Sequence, residues 1–273
     1  MPAAHESSYI SGAIANHSIA SLVRAAWLVV QQGRVLEALY GAWCFAVHRP
    51  SPICSDERLA SVPIFDQRAA EPMRGDEVRP TITSALADRI PWDEIPSTRK
   101  ANVADHPDLL AVGEYGENAR LFVATPNGCY MSDFYVGDTA VKHLHCVVRT
   151  AATEIMVCTG DSGKYLDVWT VDENELRLKS RLKRRFAGYT AGTLAGGDVY
   201  FGTDFSSRPN YLLRLRGGRK FMLPKPLYLQ YVVDLQPLED RYLIGATRSL
   251  EVFGSNAGIF VFDWINEEFV FAA

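Results

Sequence analysis

The 273-residue chain lacks a long hydrophobic run and a large excess of charge of either sign. No stretch reaches the roughly 18 apolar residues that span a bilayer, so the sequence predicts no membrane-spanning segment. Lysine plus arginine number 28 and aspartate plus glutamate 32, a net charge of −4, which argues against a nucleic-acid partner. The N-terminus has no basic start followed by an apolar core, so we expect a soluble, cytoplasmic protein and not a secreted one.

Several motifs of familiar chemistry are also missing. There is no Gly-rich phosphate loop of the GxGxxG or GxxxxGK[ST] type and no GxSxG turn of a serine hydrolase. The five cysteines include no CxxC pair and no regular spacing, so the sequence favours mostly buried thiols over a disulfide framework or a zinc site. With 48% hydrophobic and 22% charged residues, the composition is that of an ordinary globular protein.

The first part of the chain, residues 1–107, is irregular, and Pro and charged residues are frequent over 49–107. Its apolar beginning allows a helix over 18–31 or a meander of strands, and the turn glycines at 33 and 41 favour the strands. A turn of helix is expected at Ser84–Arg89. The predicted strands are Ala26–Val30, Val35–Tyr40 and Ala42–His48.

From residue 108 onward, short β-rich runs recur with turn signals between them. One run, apolar and ending in a small residue and Thr, occurs four times, at Thr125, Thr159, Thr203 and Thr247, which are 34, 44 and 44 residues apart. A β-rich run precedes and follows each of these, and three repeats add a more polar fourth run. Four strands per roughly 44 residues are typical of a β-propeller blade. A β-sandwich with accidental spacing is the alternative.

We therefore predict an all-β fold, a β-propeller with about five four-stranded blades, four of which are clear in the sequence. A twisted four-stranded sheet cannot bury both faces alone, so blades stack on their neighbours around an axis. Residues 108–273 are expected to form the four clear repeats. Residues 1–107 are expected to form an irregular N-terminal part that supplies one blade and loops.

Three segments carry a resemblance to a known family: GEYGENARLFVAT (113–125), KHLHCVVRTAATEIMVCTGD (142–161) and RRFAGYTAGTLAGGDVYFGTD (184–204). They resemble uncharacterised bacterial propellers with BNR or sialidase-like repeats. The resemblance implies a propeller with a polar end, loosely related to sialidase-type glycosidases. The aspartate boxes of such repeats are reduced here to Ser132-Asp133 and Val171-Asp172, and the sialidase catalytic set does not map onto the chain, so sialidase activity is not implied.

His143 and His145 are the leading candidates for a functional site. Alternate residues of a strand point the same way, so the two imidazoles share one face of a predicted inner strand, as a metal pair or an acid/base pair. Glu114 and Arg185 complete the candidate catalytic set. Four further residues are candidate substrate-binding groups at the same channel mouth: Tyr115, Tyr189, Asp204 and Asp234.

Two carbohydrate chemistries suit these residues. A divalent metal held by His143, His145 and a carboxylate would stabilise developing charge during β-elimination from a uronate. Alternatively, Glu114 and Asp234 would act as the carboxylate pair of a glycoside hydrolase. We therefore expect a carbohydrate-directed propeller, a glycosidase or polysaccharide lyase whose partner is a glycan or another small polar ligand. The alternative is a non-catalytic propeller that serves as a polysaccharide- or protein-binding platform.

Overall fold

The structure is a computed structural model, and it describes residues 39, 43–44, 46–54, 84–95, 101–116, 118–141, 143–160, 163–172, 175–183, 188–205, 208–248 and 257–273. These residues fall into two compact units, which divide between Leu194 and Ala195. The described residues before 63 belong to the unit that contains Ala195–Ala273. In the described parts of the chain, no helix has the length and apolar character needed to cross a membrane.

The described residues form four sheets of four antiparallel strands in a β-propeller arrangement, which confirms the predicted fold class. We name them blades 1–4 in chain order. Blade 1 contains β1 (Ala101–His106), β2 (Leu109–Glu114), β3 (Leu121–Thr125) and β4 (Gly128–Ser132). Blade 2 contains β5 (Leu144–Ala151), β6 (Glu154–Thr159), β7 (Tyr165–Val171) and β8 (Leu176–Lys183).

Blades 3 and 4 repeat the same strand order, in which each strand pairs with the next one along the chain. Blade 3 contains β9 (Tyr189–Ala195), β10 (Asp198–Thr203), β11 (Tyr211–Arg214) and β12 (Arg219–Met222). Blade 4 contains β13 (Tyr231–Leu238), β14 (Tyr242–Arg248), β15 (Ala257–Asp263) and β16 (Glu268–Ala272). Two 3-10 helices, Lys225–Leu227 and Arg216–Gly218, lie within this part of the chain.

Strand β2 is buried on both of its faces, which explains its continuous apolar sequence. Leu109 and Ala111 pack into the hydrophobic cluster that blades 1 and 2 share. Leu110 and Val112, on the other face, pack against a second cluster that contains residues of the 3-10 helix Ala85–Arg89. The short helix therefore covers the face of blade 1 that blade 2 does not.

Two expectations for the N-terminal part can be compared with the structure. The helical turn predicted at Ser84–Arg89 is confirmed, and the Ser84 hydroxyl caps it by accepting from the Leu86 N–H at 3.1 Å. The strand predicted at Ala42–His48 is wrong, because the described residues of 39–47 are helical and the His48 N–H donates to the Cys44 carbonyl. A short apolar run has no periodicity that separates strand from helix.

The strand predicted at Ala26–Val30 lies outside the described residues, and so does most of the chain from which a fifth blade was expected. That blade stays a prediction. Within the strand predicted at Val35–Tyr40 only Leu39 is described, and it is helical, which contradicts the prediction at that residue. A second 3-10 helix in the described part of this region, Trp92–Glu94, follows Ala85–Arg89.

Blade 1 begins earlier than the sequence repeat suggests. Strand β1 pairs with β2, so the run that starts at Leu109 is the second strand of its blade and not the first. Glu114, the last residue of β2, therefore takes the place that Thr159 and Thr203 hold at the ends of β6 and β10. The spacing of the second-strand positions 114, 159, 203 and 247 becomes regular, at 45, 44 and 44 residues. Thr125 ends a third strand, so its inclusion in the series is wrong.

The packing of blade 4 makes a test of the strand register possible. Gly245 lies opposite Phe260, and a Cβ at residue 245 would stand 2.0 Å from a carbon of the Phe260 ring. We expect Gly245→Ala to lower the free energy of unfolding by about 1–3 kcal/mol, because the ring must move out of a packed core. Gly128→Ala is the control, since its nearest neighbour is 3.8 Å away. Equal urea midpoints for the two variants would contradict the register.

Candidate functional site

Blades 1 and 2 approach closely where β2 passes β5. Gly113 has little room for a side chain: a Cβ there would lie 3.0 Å from Val147 Cγ2 and 3.2 Å from Leu144 Cβ. The glycine lets the end of β2 come against the start of β5. The residue that follows β2, Tyr115, thereby reaches the residues around His143.

Three rings lie side by side at this point, and we call Tyr115, His143 and His145 the ring row. The Tyr115 and His143 rings stack with their centroids 4.0 Å apart, and the two imidazole centroids are 4.5 Å apart. The Tyr115 side chain is exposed, at 39%, whereas His143 and His145 are buried. The ring row therefore presents a tyrosine to solvent and keeps two imidazoles beneath it.

The two imidazoles bond to each other. His143 Nε2 lies 2.6 Å from His145 Nε2, so one nitrogen donates its proton and the other accepts it. Gly160 lies against the His145 ring, because a Cβ at residue 160 would lie 1.8 Å from His145 Nε2. The Gly160 N–H donates to the His143 carbonyl at 3.2 Å, which fixes the loop after β6 against the ring row.

Burial sets the charge state of His145. Desolvation, together with the charges of His143 and Lys164, lowers the pKa of His145 to about 3. The imidazole is neutral at physiological pH. A base with so low a pKa takes up a proton weakly near pH 7, which makes His145 a poor general base.

The ring row does not have the geometry of a metal centre. Two imidazole ligands on one tetrahedral zinc, each about 2.0–2.1 Å from the metal, hold their nitrogens about 3.3 Å apart, farther than the separation of His143 and His145. Among the described residues, no group of three or more His, Cys, Asp or Glu side chains is arranged to hold a metal ion. The predicted divalent metal therefore has two candidate donors, and those donors are engaged with each other.

Glu114 is fully buried, and Arg120 holds its carboxylate. Arg120 Nε and Nη2 donate to the two carboxylate oxygens at 3.0 and 2.9 Å, and the Arg120 backbone N–H donates to Oε2 at 2.8 Å. The last of these bonds closes the loop between β2 and β3. Thr159 and Thr203 close the equivalent loops by accepting the N–H of the first residue of the next strand. Glu114 therefore has the same structural role as these two threonines. This role could not be recognised while the run from Leu109 was interpreted as the first strand of its blade.

The other predicted site residues belong to blades 3 and 4 or lie outside the described residues. Arg185 is outside the described residues. Tyr189 is buried at the start of β9. Asp204 follows β10, and Asp234 on β13 accepts the N–H of Leu235 and the side-chain amide of Gln236. Their place at one channel mouth with the ring row stays a prediction.

Sequence reasoning missed a buried polar network in blade 2, centred on Asp167. Its carboxylate has no solvent exposure, accepts two bonds from Arg181 at 2.9 and 2.8 Å, and accepts the Tyr135 hydroxyl at 2.9 Å. The Trp169 indole N–H donates to the same hydroxyl. Burial and the Asp167 charge raise the pKa of Tyr135 well above its usual value, so the phenol stays protonated. An aspartate two residues before a tryptophan in an apolar strand was the available signal.

Comparisons with known proteins do not assign the chain to a family. No protein-family model matches the chain, and no curated protein matches it. The resemblance to BNR or sialidase-like propellers therefore stays a prediction.

The ion pair of Glu114 and Arg120 should be among the costliest to break. We expect Arg120→Met to lower the free energy of unfolding by about 3–5 kcal/mol, because it leaves a buried carboxylate uncompensated. Arg177→Met removes one partner of an exposed pair and should change it by about 0–1 kcal/mol. Adding Glu114→Gln to Arg120→Met should restore part of the loss, since an amide carries no charge. Urea unfolding of the four proteins measures this, and similar losses for Arg120→Met and Arg177→Met would refute it.

The lowered pKa of His145 predicts a pH dependence of stability. Below pH 6.5 the unfolded chain binds a proton at residue 145 that the folded chain does not bind until about pH 3. Between these values, His145 should lower the free energy of unfolding by up to about 1.4 kcal/mol for each unit by which the pH falls. His145→Gln should therefore flatten the loss of stability on acidification. Parallel stability–pH curves for the two proteins over this range would rule the prediction out.

Proposed function

We propose that this chain is a carbohydrate-binding propeller that holds a glycan at the exposed end of the ring row without acting on it. The observation that supports a binding role is the engagement of the would-be catalytic groups. Glu114 is buried and held by Arg120, and His143 and His145 bond to each other. A hydrolase or lyase needs a carboxyl or imidazole with a proton to exchange near neutral pH.

Tyr115 supports a sugar as the ligand. A tyrosine offers an apolar face and a hydroxyl on one side chain, which suits a ligand with both C–H and O–H faces. His143 behind it holds the ring in one orientation through stacking at 4.0 Å. Little side-chain freedom remains to be lost on binding, which favours affinity at a small contact. The resemblance to sialidase-like propellers points to the same class of ligand.

A panel of neutral and acidic oligosaccharides tests this proposal. Binding of the wild-type protein is measured by glycan array and then by calorimetry on each glycan that binds. We expect Tyr115→Ala to weaken binding about tenfold, equivalent to about 1.4 kcal/mol. Phe134→Ala is the matched control, because Phe134 is a second aromatic of similar exposure in the same unit, and it should leave binding unchanged.

Three outcomes overturn the proposal. Equal binding by Tyr115→Ala and wild type places the ligand elsewhere, and no binding to any glycan rejects the ligand class. The appearance of new reducing ends or unsaturated uronates during incubation would show an enzyme instead, in favour of the hydrolase or lyase alternative.

A further inference from the structure

Two of the buried cysteines are direct partners across a pair of strands. Cys146 of β5 and Cys158 of β6 are opposite each other in the antiparallel ladder, next to the pair Val147 and Val157. Those two valines belong to the cluster that blades 1 and 2 share. Because side chains alternate along a strand, both cysteines point to the opposite face of the same sheet.

This register meets the distance requirement of a disulfide. Directly opposite residues of an antiparallel pair have Cα atoms about 4.5–5.5 Å apart, and a disulfide joins Cα atoms about 4.4–6.8 Å apart. No disulfide joins any of the five cysteines in the structure, all of which lie in its described parts. We propose that Cys146 and Cys158 are an oxidation site that forms a cross-strand disulfide when the chain folds with glutathione disulfide as oxidant.

The reaction balances as two thiol–disulfide exchanges. The thiolate of one cysteine attacks a sulfur of glutathione disulfide, forms a mixed disulfide and releases one glutathione. The second thiolate then attacks the protein sulfur of that mixed disulfide, which forms the Cys146–Cys158 bond and releases the second glutathione. The two thiol protons end on the two glutathione molecules, and the two electrons reduce the oxidant.

Burial decides when the exchange takes place. Cys146 and Cys158 are 5% and 1% exposed, so glutathione reaches them before β5 and β6 pack and not afterwards. For the same reason, the finished bond is shielded from reductant in the folded protein. The bond would also tie together the strand that carries His145 and the strand that leads to Gly160, the two segments that hold the imidazoles.

The test uses the full wild-type chain, unfolded in urea and refolded in a glutathione redox buffer. Remaining thiols are alkylated under denaturing conditions, and the digest is analysed by mass spectrometry. We expect a linked peptide pair with Cys146 and Cys158, two hydrogens lighter than the reduced pair. The exposed Cys129 is the internal control, because it should carry glutathione and so prove that the oxidant was active.

A second measurement detects the disulfide by its effect on the stability of the folded protein. The refolded, oxidised chain should unfold at a higher urea concentration than the reduced chain, because the cross-link restricts the unfolded chain. This shift should vanish in Cys146→Ser and in Cys158→Ser. Dithiothreitol should reduce the bond many times faster in urea than in the folded protein.

Specific results overturn the inference. Alkylated Cys146 and Cys158 alongside glutathionylated Cys129 would show that the pair does not close. Links from either residue to another cysteine would show a different pairing. These outcomes are independent of the proposed glycan binding, which Tyr115→Ala tests without any change at the cysteines.

Discussion

A carboxylate without solvent exposure at the end of β2 constrains the whole junction of blades 1 and 2. Arg120 holds the buried Glu114 carboxylate with two side-chain donors and its own backbone N–H. Those bonds fix the turn between β2 and β3, and Tyr115 leaves the strand within that turn. The position of Tyr115 in the ring row therefore depends on this turn and on the close approach that Gly113 allows.

The same bonds support the proposed binding role of the junction. The Glu114 carboxylate accepts three hydrogen bonds from Arg120, so both of its oxygens are engaged within the fold. The Nε2 atoms of the two imidazoles beneath the tyrosine are likewise engaged with each other. We propose that the junction acts as a recognition surface, because neighbouring groups fix its polar side chains before any ligand arrives. The ion pair of Glu114 stabilises the fold, and the ion pair of Asp167 in blade 2 does the same.

Part of the fold and part of the site could be predicted from residue patterns. Val-, Tyr- and Thr-rich runs at a spacing near 44 residues were enough to predict four-stranded blades. The His-x-His pattern was enough to predict that the two imidazoles are neighbours. The phase of blade 1 could not be read, because LFVAT before Pro126 has the same local pattern as a second strand. The first spacing, 34 residues where the others are 44, was the one available sign of the error.

The amino-acid sequence by itself determined the strand content, the blade length and the likeness of the repeats, because alternation and turn residues act over a few neighbouring positions. Only the tertiary structure decided that Glu114 belongs with Arg120, that Tyr115 stacks on His143, and that Cys146 faces Cys158. Each of these contacts depends on strand register or on the approach of two blades. Register depends on which strand face is buried and on the geometry of each turn, and both are settled only when the strands and blades pack together.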